Sequence, residues 1–354
     1  MIDHRYYLLE ALQYAKIQTG FCAPNPAVGA VIVQNNTIIS TGFHLGAGHA
    51  HAEADALKKL HHHAAGATLY VTLEPCCHFG RTPPCTDLIK KTGIAKVYFG
   101  FLDPNPVVSG KGALILNQSG IICQQIILSE INLFYEPYDY WTKNKKPIVA
   151  AKLAVSADYH VARAHITGVQ CDLLTQQYRK KSDAILTTIN TVLSDNPSLN
   201  VRFNHTVIAK PIYILDSTCR LPCDAKIWKT AKSITIFYSQ KANQSSVEKL
   251  MQQGARCILI NENVFGLNLD AILSQIGNDG FQTLWIEAGK TCFDSFLKQD
   301  LLHQAIIYVS TKVFIDHDYH AKIDLNAVKN KFNTVYQNQH EDDLVFEYLL
   351  TNKA

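Results

Sequence analysis

No stretch of 18 consecutive apolar residues occurs in this chain, so no membrane-spanning helix is expected from it. The N-terminal segment "MIDHRYYLLEALQYAKIQTG" carries acids among its apolar residues and reads as an amphipathic helix rather than a signal peptide, which points to the cytoplasm. Charge of one sign is missing too: 33 Lys and Arg against 30 Asp and Glu leave a net charge of +3, and the lysines form no long run. Neither a nucleic-acid partner nor a membrane surface gains electrostatic support, and a small-molecule substrate is expected instead. The 12 prolines are scattered, and there is no low-complexity tract or internal repeat, which excludes fibrous and disordered classes. No G-x-G-x-x-G is present, so a Rossmann dinucleotide site is not expected. "GKT" at Gly289 has Leu284 where a P-loop needs its first glycine, and that reading is dropped as well.

What is present is enough for two folded cores. At 354 residues and 47% hydrophobic, the chain exceeds one ordinary domain. Residues 1–145 and 146–354 are taken as the two domains, divided near "YDYWTKNKKPIVAAKLAVS", where a charged, turn-prone stretch precedes a new strand. In the first, "AVGAVIVQNNTIISTGFH" reads as a hairpin turning at Asn35-Asn36, and "HAEADALKKLHHH" as a helix whose solvated end is His61–His63. "ATLYVTLEP" and "KVYFGFLDPNP" read as strands, with a helix at "CTDLIKKTG" between them. In the second, "KPIVAAKLAVS", "SDAILTT", "KPIYILDS", "SITIFYS", "ARCILIN", "TLWIEAG", "QAIIYVS" and "DDLVFEYLL" read as strands. Helices are expected at residues 173–181, 269–276 and 290–299. Strands separated by helices make both domains α/β. The ten cysteines are expected as thiols, some of them ligating metal.

The chemistry concentrates in "HAE" at His51 and "PCCHFGRTPPC" at Pro75 to Cys85. Together they fit the H-x-E…P-C pattern of zinc deaminases. One His and two Cys give three protein ligands and leave a fourth tetrahedral position for water, the arrangement of a catalytic zinc. Zinc lowers the pKa of its water to roughly 7, so a nucleophile exists at neutral pH. Glu53, two residues after His51, is placed to move the proton as general acid–base. The usual P-C-x-x-C fails because Phe79 occupies the second thiolate position. Cys77 adjoins Cys76 on extended chain and should point away from it. Cys85 is the stronger candidate, since it opens a helix whose N-terminus would stabilise a thiolate. His44 and His78 read as pocket or loop residues, and Cys77 as a buried small side chain.

The first half closely resembles the deaminase domain of the bifunctional riboflavin-biosynthesis deaminase/reductase family. The resemblance is carried by "PNPAVGAVIV", "HAEADAL", "TLEPCCHFGRTPPCTDLI" and "DPNPVVSGKG". It implies a cytidine-deaminase-like α/β/α domain with one zinc on His51, Cys76 and Cys85 and with Glu53 as catalytic proton shuttle. It also implies substrate contacts at Asn25, Arg81 and Thr82. The second half resembles the reductase domain of that family, related in fold to dihydrofolate reductase, through "AKLAVSAD", "YRKKSDAILTT", "NTVLSDNPSLNVR", "YILDSTCRLP" and "WIEAG". That implies NADPH contacts at Ala154, Thr191, Asp195 and Gly289, and substrate contacts at Arg179, Leu199, Arg202 and Glu287. "EAGKT" leads from a strand into a helix N-terminus suited to a phosphate, and Arg179 and Arg202 suit the substrate's phosphate through forked hydrogen bonds.

The implied activity is zinc-dependent deamination of a pyrimidine ribonucleotide, followed by NADPH-dependent reduction of its ribosyl chain, in a homo-oligomer. The P-C-x8-C spacing and the fused second domain argue against a cytidine or tRNA-adenosine deaminase. Some positions depart from the family: His49-Ala50 where Pro commonly precedes the His, Cys77 for Ser, and Ala27 for a larger polar residue. In the second half Tyr159 replaces a Gly, and "HVARAHITG" is shorter than the usual loop and lacks its Ser and Trp. That loop should border cofactor and substrate, so a weak, altered or binding-only reductase is the alternative expectation.

Overall fold

The computed structural model describes residues 3–79, 83–161, 166–203, 206–313 and 322–350. The chain divides into two compact units, residues 1–145 and 146–354. Among the described residues no helix is long and apolar enough to cross a membrane.

In the first unit the order is α1 (His4–Ile17), β1 (Gly29–Gln34), β2 (Thr37–Phe43), α2 (Ala52–Lys59), β3 (Thr68–Leu73), α3 (Cys85–Lys91), β4 (Lys96–Phe101), α4 (Lys111–Gln118), β5 (Ile122–Gln125) and α5 (Ser129–Asn144). The strands form one sheet in the order β2-β1-β3-β4-β5. β1 runs antiparallel to both its neighbours, while β3, β4 and β5 run parallel. The expected hairpin turn is there, with Asn35 and Asn36 both left-handed at φ 50° and 61°, as a tight two-residue turn between twisted strands requires. Alternate residues of the strands face opposite ways. Ala30, Ile32, Leu69, Val71, Val97 and Phe99 pack under α2, α3 and α4. Val31, Val33, Tyr70 and Tyr98 pack under α1 and α5.

Two expectations are corrected here. α2 ends at Lys59, and His61 and His62 lie beyond it in a left-handed turn rather than on a helix end. The supposedly turn-prone "YDYWTKN" is the second half of a 16-residue helix that contains Pro137. Burial of Ile131, Tyr135 and Tyr138 holds that helix to the sheet, and tertiary packing of this kind overrides local propensity.

The second unit runs β6 (Ile148–Val155), α6 (Val169–Lys181), β7 (Ala184–Thr188), α7 (Ile189–Asp195), β8 (Val201–Phe203), β9 (Thr206–Ile208), β10 (Pro211–Leu215), α8 (Ile227–Thr230) and β11 (Ser233–Tyr238). It continues through α9 (Gln244–Gln252), β12 (Arg256–Leu259), β13 (Glu262–Asn263), β14 (Gly266–Leu267) and α10 (Leu269–Asn278). It closes with β15 (Thr283–Glu287), α11 (Lys290–Lys298), β16 (Gln304–Val309), α12 (Leu325–Lys331), β17 (Thr334–His340) and β18 (Asp343–Leu349). Nine strands form one sheet in the order β12-β11-β10-β7-β15-β6-β16-β18-β17. It is parallel from β12 to β16 and ends in the antiparallel pair β18 and β17. Helices α6 to α9 cover one face, on which Trp285 and Tyr308 are buried. α10, α11 and α12 cover the other, over Val149, Leu153, Leu284 and Ile307.

His303 stands at the start of β16, where its Nδ1 accepts the Val149 N–H at 3.1 Å. Burial pushes its pKa down to about 4, so the ring is neutral in the folded chain. A depressed folded pKa means that the unfolded state binds the proton first. Stability is therefore complete above about 6.5, falls as the pH drops, and has lost at most about 3 kcal/mol by pH 4. Denaturant midpoints measured between pH 7 and pH 4 should fall less steeply in His303→Asn, which keeps an acceptor for Val149 but does not titrate.

Candidate active site

His51 is the residue just before α2, in extended conformation at φ −70° and ψ 163°, and its ring makes no capping bond to the helix. It therefore stands outside α2 and not on it, free to turn toward the end of β3. There Cys76 follows Leu73 by three residues, and Cys85 opens α3. His51 Nδ1 lies 3.4 Å from Cys76 Sγ and 3.3 Å from Cys85 Sγ. These three ligand atoms all fall within 4.8 Å of one another. Zinc at ordinary bond lengths separates tetrahedral N and S ligands by about 3.6 Å, so this donor set fits a zinc ion. No other group of three metal-ligating side chains occurs among the described residues. Cys77 is half-buried and stays outside the cluster, a correction to its expected burial.

Close backbone approaches make the convergence possible. A Cβ on Gly42 would sit 2.2 Å from the Ala52 carbonyl oxygen, and one on Gly112 would sit 2.1 Å from that of Pro75. β2 thus reaches the first turn of α2, and α4 reaches the residue before Cys76. Glu74 completes the clamp by accepting the backbone N–H groups of Gly110 and Ala113 at 2.9 and 3.2 Å.

Hydrogen bonding among the three donors sets their proton affinities. The Cys85 thiol, against burial and with help from His51, pulls the Cys76 pKa down to about 4. Cys85 N–H also donates to Cys76 Sγ at 3.3 Å. The start of α3 therefore favours the thiolate of Cys76, while the Cys85 pKa is pushed up by the Cys76 sulfur and by burial. His51 is raised to about 9, first by its bond to Cys76. A divalent cation would displace these protons. Glu53 is buried in the first turn of α2, and burial pushes its pKa up to about 7.

His51, Glu53 and Cys76 open into a cavity of about 350 Å³ also lined by Asn25, His44, Glu74, His78, Asp103 and Asn105. His44 Nδ1 donates to the Ala50 carbonyl at 2.9 Å, so its Nε2 accepts from Asn25 Nδ2 at 2.9 Å. The segment carrying Asn25 is pinned by the Tyr135 hydroxyl, which donates to the Ala27 carbonyl at 3.0 Å. His78 Nδ1 is buried with no hydrogen-bond partner among the described residues. Asp103, Asn105 and Tyr138 line the same cavity. They were not singled out from sequence, although "DPNP" between a strand and a Gly-rich loop could have marked the first two. Arg81 and Thr82 lie outside the described residues.

In the second unit, the residues expected to hold NADPH sit along one edge of three adjacent parallel strands. Ala154 is near the end of β6, Thr191 is just past β7, and Gly289 is just past β15. Asp195 is one turn after Thr191, and exposed. The C-terminal edge is where open α/β sheets bind ligands. No side chain caps α11 at Gly289, and a Cβ there would meet nothing within 4 Å. This leaves room for a phosphate at the helix N-terminus.

Leu199 is buried at φ 46°. Arg202 is exposed and reaches Asn200 Oδ1 at 3.2 Å. Arg179 departs from expectation. Its Nε and Nη2 grip the two carboxylate oxygens of Glu287 at 2.5 and 2.8 Å, and Nη1 donates to the Asn200 carbonyl at 2.9 Å. The fork expected for a phosphate is filled by Glu287. Burial alone would raise the Glu287 pKa, but the guanidinium outweighs it and holds the carboxylate below its usual range. At the start of the shortened loop, Tyr159 takes up φ 67°, the left-handed geometry that glycine adopts without strain. Its N–H closes the turn onto the Ser156 carbonyl at 2.9 Å. Residues 162–165 of that loop lie outside the described residues.

A His-Cys-Cys donor set beside a buried glutamate in an α/β unit is the arrangement of a zinc-dependent deaminase, followed here by a second α/β unit. Residues 1–101 match the family model of the cytidine and deoxycytidylate deaminase zinc-binding region, and residues 147–322 match that of the RibD C-terminal domain. The riboflavin biosynthesis protein RibD of Aquifex aeolicus is 36% identical over 322 residues, 88% of each chain. That of Escherichia coli is 33% identical over 327 residues, 88% of this chain and 89% of the other. The structure of Acinetobacter baumannii RibD superposes with a TM-score of 0.83 at 30% identity, covering 99% of both chains. A Thermotoga maritima diaminohydroxyphosphoribosylaminopyrimidine deaminase/5-amino-6-(5-phosphoribosylamino)uracil reductase gives 0.81 at 28%, covering 98% of this chain and 99% of that one. The chain belongs to the RibD family of riboflavin-biosynthesis proteins and is a bifunctional deaminase and reductase. The C-terminal match runs across the shortened loop, and no observation favours a weakened or binding-only reductase.

Elemental analysis should find one zinc per chain, lost in Cys76→Ser and Cys85→Ser and kept in Cys77→Ser. Gly112→Ala should speed zinc release to a chromogenic chelator, because its methyl group has to displace Pro75.

Proposed function

We propose that the first unit removes the 2-amino group of 2,5-diamino-6-(ribosylamino)-4(3H)-pyrimidinone 5'-phosphate, and that the second reduces the ribosyl chain of the product to ribityl. The observation that carries this reading is the His51, Cys76 and Cys85 set beside buried Glu53, opening on a cavity sized for one small ring system. When bound, zinc would supply the Lewis acidity that makes water nucleophilic near neutral pH, and NADPH would supply a hydride. His51, Cys76 and Cys85 would hold the zinc ion. Glu53, with a pKa near 7, takes the proton of the attacking water and delivers it to the departing ammonia. Asn25 already donates to His44, so its Oδ1 is left to accept from the substrate. His78 Nδ1, with no hydrogen-bond partner among the described residues, is a second polar contact. Arg81 and Thr82 are retained as phosphate contacts on the resemblance of their segment.

In the second unit, Ala154, Thr191, Asp195 and the turn at Gly289 would hold NADPH. The nucleotide would lie against Leu199 and Arg202 and against the two Arg179 N–H groups not engaged by Glu287 or Asn200. Glu287 then serves by holding Arg179. We also infer that the protein is cytoplasmic and a homo-oligomer, as its composition and family resemblance suggest.

Glu53→Gln should cut ammonia release by about 10²- to 10⁴-fold while zinc content stays at one per chain. Surviving activity would remove Glu53 from the mechanism. Mass analysis after incubation with the diaminopyrimidinone nucleotide should show replacement of the amine without NADPH and a further gain of two hydrogens with it. A product that stops at deamination with NADPH present would refute the reductase assignment.

A further inference from the structure

Trp285 is fully buried on β15, two residues before Glu287, so both side chains fall on the sheet face covered by α6. Its indole Nε1–H donates to Glu287 Oε1 at 2.7 Å. That oxygen also accepts from Arg179 Nε, and Oε2 accepts from Arg179 Nη2. The Thr187 hydroxyl holds the Glu287 carbonyl at 2.7 Å. The indole lies parallel to the Tyr178 ring, with centroids 4.6 Å apart and planes 1° apart. Tyr178 immediately precedes Arg179 on α6. Trp285 thus fixes both ends of the pair: its N–H orients the carboxylate, and its ring sets the height of the helix that carries the guanidinium. Of the five N–H groups of a guanidinium, three are committed among the described residues. The direction of the other two follows from how Glu287 is held.

We propose that Trp285 is a positioning residue for the reductase substrate, acting through Glu287 on Arg179, which presents its two remaining N–H groups to the anionic nucleotide. This rests on the reading of Arg179 as a substrate contact. A carboxylate with one anchor fewer can rotate about its own axis, and the guanidinium turns with it. The loss should therefore appear in substrate binding and not in the reducing step.

The test uses the full chain, with ammonia release by the first unit as the control for folding. Trp285→Phe keeps a stacking ring and removes the N–H. It should raise the KM for the deaminated nucleotide about fivefold to tenfold, with kcat within about twofold and ammonia release unchanged. In a Glu287→Gln background the same substitution should change KM little, because the two residues act in series. If the Phe variant does not fold, β-(3-benzothienyl)alanine at 285 replaces only the N–H with sulfur and should reproduce the KM effect. A fall in kcat at unchanged KM, or an equal KM effect in the Glu287→Gln background, would overturn the proposal. Arg179→Gln separates the two layers. If it raises KM while loss of the Trp285 N–H does not, the positioning role is wrong; if it leaves KM unchanged, the substrate reading fails and the positioning role with it.

Discussion

Three soft ligand atoms have to arrive within 4.8 Å from three separate segments of chain, and the first unit is built around that requirement. His51 comes from the residue before α2, Cys76 from beyond the end of β3, and Cys85 from the first residue of α3. Close backbone contacts fix two of these segments: Gly42 on β2 against the start of α2, and Gly112 on α4 against Pro75, the residue before Cys76. Glu53 follows from the same geometry. As the second residue of α2 it falls into the buried space beside the ligands, and desolvation there raises its pKa to about 7.

In the second unit the organising interaction is the buried pair Arg179–Glu287. A pair this deep loses the hydration of both ions, and it is sustained only where further hydrogen bonds satisfy the remaining atoms. Here the Asn200 carbonyl, the Trp285 indole and the bidentate fork do so. The pair joins α6 to the C-terminal end of β15, next to the edge where Ala154, Thr191 and Gly289 gather. The fork of Arg179 is committed to Glu287, so only its two remaining N–H groups can face a nucleotide.

The family departures leave the framework intact. Tyr159 adopts the left-handed turn that glycine usually fills and keeps its closing bond to Ser156. Cys77 adds a half-buried thiol whose pKa burial and the nearby Glu74 push up, and it stays outside the His51, Cys76 and Cys85 donor set by its position. Ala27 keeps only its backbone role, as acceptor for Tyr135.

Most of the strands, the hairpin at Asn35-Asn36 and the H-x-E…P-C part of the donor set were legible in the residues, because alternation, turn chemistry and short motifs are written over short distances; Cys85 needed the family resemblance. α5 was not legible: its polar, proline-containing end becomes helical only when Tyr135 and Tyr138 are buried against the sheet. Asp103, Asn105 and Tyr138 were missed for a related reason, since they line the cavity from chain segments 50 or more residues past His51. That His51, Cys76 and Cys85 belong to one donor set was expected from the sequence through H-x-E…P-C and the family resemblance, even though the usual P-C-x-x-C spacing fails. How tightly each of Cys76 and Cys85 holds its proton, and what Arg179 faces, only the tertiary structure decided, because hydrogen bonding and burial among residues distant in the chain set both.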